Sequence, residues 1–300
     1  MGGAPAAAGP RRIVFDGQDL RVVVQPTPSR AVVVCFNWGK FQGGGDRFYA
    51  DELMLNLRMS AVGIVSKRPH WYLCDEWPQA LAAAQEAMSR HVLRVGYGYS
   101  MGAYAALKHS KALGLDRVLA FSPQWSVDPE EAPWDERKDW AFTPAMKGMG
   151  VRPEDRAGRA YLFVDPGFVL DWWHVERLLP SGENVLVPMR HCGHDTMKML
   201  TGRESMGPIL QACLHAKPAE ALDIVRRRRR LSTRFRAYMC GTRGLRRLYA
   251  GDPARALHWL QVGESFLPDA SPVQQLKLEL TERGLLPDNP LSPAGAAEGA

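Results

Sequence analysis

Gly98-Tyr99-Ser100-Met101-Gly102 decides how the rest of this chain reads. Before it, residues 92–97 (VLRVGY) form a short apolar run of the kind found in buried strands. After it, residues 102–108 (GAYAALK) are rich in helix formers. A Gly-x-Ser-x-Gly between strand and helix is a sharp turn that lifts the serine oxygen above the edge of a sheet. Glycine is needed two positions to either side, because side chains there would collide with the neighbouring strand and helix. The helix start just beyond favours the negative charge that develops during acyl transfer. Without these flanks the pentapeptide would be a glycine-rich turn closing a βα unit. With them it is a candidate nucleophile elbow.

Outward from this turn, the first two-thirds of the chain alternate strand-like and helix-like runs. Residues 12–15 and 20–25 read as two opening strands joined by the Asp16-Gly17 turn. Further strands are expected at 31–36 (AVVVCF), 61–66 (AVGIVS), 117–121 (RVLAF), 160–164 (AYLFV) and 184–188 (NVLVP). Helices are expected at 76–88, with Asp75 as N-cap, and at 172–179. Continuous apolar strands alternating with helices imply an α/β fold, a mostly parallel sheet covered on both faces. In such sheets, sites form at the carboxyl ends of the strands.

Residues 128–158 break the rhythm. They are loop-rich and hold Trp134, Trp140, Phe142, Met146 and Met149, which suits either a lid over a site or a satellite packed on the domain. Beyond residue 205 no strand candidate follows, and 206–215, 219–230 and 231–249 are helical in pattern. Gly251-Asp252-Pro253 opens a helix at 254–266, and Ser271-Pro272 opens another at 273–283. The pair, residues 251–284, resembles a single tetratricopeptide-type hairpin, with Ala254, Ala256, Leu257, Leu260 and Pro268 in comparable places. One such unit cannot bury its apolar face alone, so it is expected to dock on the preceding helices or on the sheet domain. The organisation expected is therefore a disordered leader (1–10), a sheet domain (11–204), an all-helical region (205–286) and a disordered Pro/Ala/Gly tail (287–300).

Bulk properties narrow the function. At 46% hydrophobic and 23% charged residues the composition is that of a globular protein. No apolar run is long enough to span a bilayer, and the first ten residues lack the charged-then-apolar pattern of an export signal. Five scattered cysteines, with no CxxC spacing, argue against a disulfide framework and a zinc site and fit a reducing cytoplasm. The net charge of +6 is concentrated: ten arginines and no acidic residue lie between Arg226 and Arg247, which leaves the remainder net acidic.

A nucleophilic serine needs a base within hydrogen-bond reach and an acid to orient that base. Asp165 directly follows the strand AYLFV, and His194 lies just past NVLVP, in His191-Cys192-Gly193-His194-Asp195, where Gly-His opens a helix at 196–200. The elbow GYSMG, the strand-plus-acid LFVDP, the helix HVERLL and the Gly193-His194 loop together resemble the α/β-hydrolase superfamily, over residues 11–204. The finer likeness is to bacterial serine hydrolases of undefined substrate that carry a helical tail. The resemblance implies Ser100 as nucleophile, His194 as base and then acid, and Asp165 as the orienting carboxylate. Asp171, closer to HVERLL, and Asp128 are the alternative acids, although Asp171 would also serve as a helix N-cap. His191 rivals His194 but lacks the freedom Gly193 gives its neighbour, and His174 reads as a packing or surface residue.

The oxyanion hole is expected to combine the Met101 N–H with that of Asn37 or Trp38, in the loop after residues 31–36. That loop lacks the His-Gly-Gly pattern of many lipases, and its Gly43-Gly44-Gly45 reads as a flexible entrance. Trp38, His70-Trp71-Tyr72, Tyr99 and Gln124-Trp125 follow strands and either line an aromatic cleft or seal the core, with Trp71, Tyr99, Gln124 and Trp125 taken as substrate contacts. The arginine run is either a solvated basic face or a site for an anionic partner; with only Phe235 and Tyr238 interleaved, nucleic-acid readout is not expected. The combined expectation is a cytoplasmic serine hydrolase without metal or cofactor, acting on a small-molecule or glycan-linked acyl ester. Acyl transfer through the same triad, or a non-catalytic protein acting through its arginine-rich tail, are the rival readings.

Overall fold

The computed structural model describes residues 9–137 and 142–286. The expectations for residues 1–8, for the 287–300 tail and for Trp140 lie outside the described residues. Among the described residues the chain separates into two compact units, dividing between Arg229 and Arg230. The boundary expected at residue 204 falls inside the first unit, because the first of the two helices that follow packs on the sheet and the second packs on the first.

The first unit is built on one eight-stranded sheet. Its strands are β1 (Arg12–Asp16), β2 (Leu20–Gln25), β3 (Ala31–Phe36), β4 (Ser60–Ser66), β5 (Leu93–Tyr99), β6 (Arg117–Phe121), β7 (Arg159–Val164) and β8 (Asn184–Pro188). They lie in the order β1-β2-β4-β3-β5-β6-β7-β8. β2 runs antiparallel to β1 and β4; the pairs from β4 through β8 are parallel. Interleaved are α1 (Asp51–Asn56), α2 (Trp77–Met88), α3 (Met101–Lys108) and α4 (Val169–Leu178), followed by α5 (Arg203–Leu214) and α6 (Pro218–Arg229).

The apolar runs read as continuous because both faces of the sheet are buried. Val32, Val34 and Phe36 join a core with Ala80, Ala84 and Met88 of α2, Ala103 and Leu107 of α3, and Val175 and Leu178 of α4. The alternate residues Val33 and Cys35 are equally buried on the opposite face. At Gly63 a Cβ would lie 2.2 Å from the Phe48 ring, so the missing side chain on β4 is the space Phe48 occupies. α1 was not foreseen, and its short run shows too little periodicity to declare itself. α2 begins after Glu76 and not after Asp75; the Glu76 carboxylate accepts the N–H groups of Gln18 (2.6 Å), Asp19 (2.9 Å) and Leu20 (2.9 Å), tying down the β1–β2 hairpin.

Segment 128–158 is anchored at several points. Met146, Met149 and Val151 are buried in the main core. Asp128, buried, accepts the N–H of Glu130 (2.9 Å) and Gly148 (2.6 Å), and the partly buried Glu131 accepts that of Gly150 (2.7 Å), so two acids staple the segment to itself.

The second unit holds α7 (Thr233–Tyr249), α8 (Pro253–Phe266) and α9 (Ser271–Glu282). Ser232 and Asp252 cap α7 and α8 by accepting the Phe235 and Arg255 N–H groups. The α8–α9 pair packs on α7, which supplies the burial a lone hairpin lacks. A Cβ at Gly241 would meet the Pro272 carbonyl carbon at 2.4 Å, so α7 and α9 are in near backbone contact there. Among the described residues no helix is long and apolar enough to cross a membrane.

Candidate active site

β5 ends at Tyr99 and α3 begins at Met101, leaving Ser100 as the single residue of the turn, at φ 54° and ψ −122°. That left-handed backbone is costly for a residue with a Cβ and persists only where its surroundings impose it. Here the Ser100 N–H donates to the Phe121 carbonyl at 2.9 Å, while its own carbonyl accepts from Ala103 and Tyr104 at 2.8 and 3.0 Å. The flanking glycines are steric necessities: a Cβ on Gly98 would lie 2.2 Å from the Gly102 oxygen, and one on Gly102 would lie 2.3 Å from the Phe36 oxygen.

The Ser100 Oγ is 3.0 Å from Nε2 of His194, and Nδ1 of that ring is 2.7 Å from Oδ2 of Asp171. His194 lies in the loop after β8, with its carbonyl accepting the Ser122 hydroxyl at 2.6 Å from the end of β6. The ring is 29% exposed, whereas Asp171 is wholly buried in the first turn of α4, where the helix dipole favours a carboxylate.

Asp165, the first expectation for the orienting acid, is not at the His194 ring; Asp171 is. Asp165 accepts the N–H groups of Cys192 (2.8 Å), Gly193 (2.9 Å) and Gly167 (2.8 Å), binding the histidine loop to the end of β7 through its backbone. Asp171 is not an N-cap either, since that position belongs to Phe168. Asp128 is occupied in the loop already described. His191, at φ 64°, belongs to the same loop as His194. The helix expected at 196–200 is only a 3₁₀ turn, Met197–Met199.

Two residues without any sequence signal, Arg137 and Asp135, extend the series, together with His174, which was expected to pack or lie at the surface and is fully buried. Asp171 Oδ1 lies 3.7 Å from an Arg137 guanidinium nitrogen, and Arg137 Nε donates to Asp135 at 2.7 Å. Asp135 in turn is 2.8 Å from Nε2 of His174, which sits on α4 three residues beyond Asp171. Burial alone would raise the Asp135 pKa, but its bonds to His174 and Arg137 outweigh this and hold it below the usual carboxylate range. Burial lowers the His174 pKa against the pull of Asp135. Arg137 comes from segment 128–158, whose irregular pattern gives no register from which to place a side chain.

A cavity of about 270 Å³ opens at Ser100. Trp38, Trp71 and Tyr99 form its aromatic wall, and Lys40, Arg137 and Lys198 its basic rim. The Tyr99 hydroxyl donates to Asp195 at 3.1 Å, and Lys198 pairs with the same carboxylate at 2.8 Å. Burial, then the Asp195 charge, raise the Tyr99 pKa, so this phenol stays protonated. Met101 borders the cavity with the first N–H of α3, which has no acceptor within its own helix.

The remaining expectations divide. Of the two residues expected to supply the second oxyanion N–H, Trp38 borders the cavity and Asn37 does not; the Asn37 side chain faces inward, its amide donating to the Trp38 and Ser66 carbonyls and its oxygen accepting from the Ser66 N–H and Tyr72 hydroxyl. Trp71 and Tyr99 are at the cavity, while Gln124 and Trp125 are not. Gln124 is fully buried and donates to the Ser122 carbonyl at 2.8 Å; the Trp125 indole donates to the Val151 carbonyl at 2.9 Å and packs in the core. Both correct the substrate-contact expectation, because the chain after β6 turns beneath residues 145–151 and not toward Ser100. Among the described residues no group of three or more His, Cys, Asp or Glu side chains is arranged to hold a metal ion.

No family model matches the chain, and no curated protein matches it. Solved structures do. A Staphylococcus aureus protein of unknown function is 12% identical, with TM-score 0.50 over 70% of this chain and all (100%) of that one. Est1E from Butyrivibrio proteoclasticus is 10% identical, with TM-score 0.44 over 73% of this chain and 99% of that one. The capsule O-acetyltransferase of Neisseria meningitidis serogroup A is 11% identical, with TM-score 0.46 over 66% of this chain and 93% of that one. At 12% identity the likeness to the Staphylococcus aureus protein is one of fold alone. This chain's own strand order and helix layers are those of the α/β-hydrolase fold, with a serine, a histidine and an aspartate hydrogen-bonded in series at the carboxyl ends of the strands.

Proposed function

We propose that the chain is a serine hydrolase that cleaves an acyl ester through an acyl-enzyme on Ser100. The observation that carries this reading is the hydrogen-bond series Ser100 Oγ–His194 Nε2 (3.0 Å)–His194 Nδ1–Asp171 Oδ2 (2.7 Å). His194 takes the Ser100 proton as the oxygen attacks the ester carbon, and the buried Asp171 holds the ring with Nδ1 protonated and stabilises the imidazolium. The tetrahedral oxyanion sits before the Met101 N–H and, from the facing loop, the Trp38 N–H. Collapse expels the alcohol, which receives the proton from His194. Water then attacks the acyl-enzyme by the same route in reverse. An acceptor alcohol in place of water would make the same machinery an acyltransferase.

The aromatic wall and the cavity volume of about 270 Å³ suit a small-molecule or sugar ester with a short acyl group. The test is fluorophosphonate labelling of the intact chain beside Ser100→Ala, His194→Ala and Asp171→Asn. Labelling of the parent alone, followed by turnover of p-nitrophenyl acetate, supports the reading. A folded parent that takes no label overturns it.

A further inference from the structure

The site on the sheet leaves the arginine-rich part of the second unit unexplained. On α7, Arg243, Arg246 and Arg247 stand at i, i+3 and i+4, so they share one face. With Ala250 and Trp259 of α8 they line a hollow of about 340 Å³. All three arginines are exposed, and Trp259 is half-buried with the Arg243 guanidinium 5.2 Å from its ring centre.

The charges of this hollow are not balanced within the unit. Asp252 pairs with Arg255 (3.5 Å), Glu264 with Lys277 (3.0 Å) and Glu279 with Arg283 (3.4 Å). Among the described residues none of Arg243, Arg246 and Arg247 has an acidic partner. Like charges at these spacings destabilise a helix, and the unit has acids that serve cations elsewhere. Three planar forks converging on one hollow, one of them steadied against an indole, match the geometry of a tetrahedral oxyanion with several acceptor oxygens. The volume is at the lower end of the range for small-ligand sites.

We propose that this hollow binds a phosphate group carrying at least two negative charges, with Arg246 and Arg247 as its principal ligands and Trp259 against the carbon part of the molecule. The phosphate is that of a soluble phosphate ester or of a lipid headgroup, and the experiment separates the two. Nothing in the proposal depends on Ser100 being active.

Titration calorimetry of the full chain with inorganic pyrophosphate is run beside sedimentation with phosphatidylcholine vesicles containing phosphatidic acid. The variants are R246Q/R247Q and, as a control for charge alone, R255Q, which removes a cation already paired with Asp252. The expected result is saturable pyrophosphate binding that weakens at least tenfold in R246Q/R247Q and stays within twofold in R255Q, with melting lowered in neither. Vesicle binding without pyrophosphate binding, lost in the same double variant, assigns the phosphate to a headgroup and supports the site. Absence of binding to either probe, or equal weakening in R246Q/R247Q and R255Q, overturns it. Single-stranded RNA binding in preference to both probes would also overturn it, in favour of a polynucleotide face.

Discussion

Two aspartates follow β7, and their different partners predict opposite consequences for the same substitution. Asp171→Asn changes a wholly buried group whose Oδ2 meets His194 Nδ1 at 2.7 Å. If the amide nitrogen faces the ring, Nδ1 must become an acceptor and the proton moves to Nε2, where it blocks uptake of the Ser100 proton. If the amide oxygen faces it, the charge that stabilised the imidazolium is gone. A triad carboxylate lost in this way lowers kcat about 10⁴-fold, or about 5 kcal/mol of transition-state stabilisation. Folding changes little, since a buried charge has been removed along with its bond. Asp165→Asn is the reverse case. Its three charge-assisted bonds to backbone N–H groups, at 2.8, 2.9 and 2.8 Å, become neutral, and the amide nitrogen cannot accept at all. With charge-assisted bonds contributing roughly 1.5–3 kcal/mol each, a loss of about 2–4 kcal/mol in stability is expected. Activity falls about 10- to 100-fold through a loosened His194 loop. Burst kinetics on p-nitrophenyl acetate and urea unfolding read the two effects separately. An Asp171→Asn enzyme within tenfold of the parent, beside an Asp165→Asn enzyme that is inert yet fully stable, would refute the assignment of the two acids.

Further outcomes follow from the same contacts. Arg137→Gln removes a cation 3.7 Å from Asp171 and the donor to Asp135 at 2.7 Å, so kcat/KM is expected to fall about tenfold; an unchanged kcat/KM would reduce Arg137 to packing. Gly98→Ala and Gly102→Ala drive a Cβ to 2.2 and 2.3 Å from backbone oxygens, and each is expected to cost at least about 2 kcal/mol in urea unfolding. His109, stacked 3.7 Å from Trp77, has its pKa pushed down to about 3 from the ordinary 6.5 by burial and by the Lys108 charge. The unfolded chain therefore binds this proton first, so the stability is fully present above pH 6.5 and is lost as pH falls toward about 3, with a slope of up to about 1.4 kcal/mol per pH unit. His109→Phe should flatten that part of the stability–pH curve, as read by unfolding midpoints across the range.

The sheet was legible because β-branched runs such as AVVVCF are apolar on both faces, and only a strand covered on both sides needs that. The elbow was legible because sterics leave almost no alternative to glycine at positions 98 and 102. The acid was not, because two carboxylates lie six residues apart after the same strand and both serve the histidine loop, one through its backbone and one through its ring. Asp165 is closer to the strand end, but it folds the turn on itself: Phe168 N–H donates to the Asp165 carbonyl at 3.0 Å, which starts α4 at Val169 and brings Asp171 to the ring. Arg137 and Asp135 were invisible for a different reason. A segment held by acids accepting backbone N–H groups leaves no periodic trace, and its side chains can be placed only once its anchors are known. The same blindness made Trp125 resemble a cleft residue when its indole serves the Val151 carbonyl.

Ser100 and the carbonyl of His194 are both tied to the end of β6, the first through Phe121 and the second through the Ser122 hydroxyl, while the histidine loop is tied to Asp165 just beyond β7. Under the proposed function the reacting atoms are therefore gauged by the spacing of neighbouring strands, while part of the cavity's wall and rim comes from the loop at Trp38 and the arm at Arg137. The chain thus separates tool from jig. Exchanging either wall for a loop of another length would retune what is held without recalibrating what reacts, which makes those two segments the natural places to graft a new specificity.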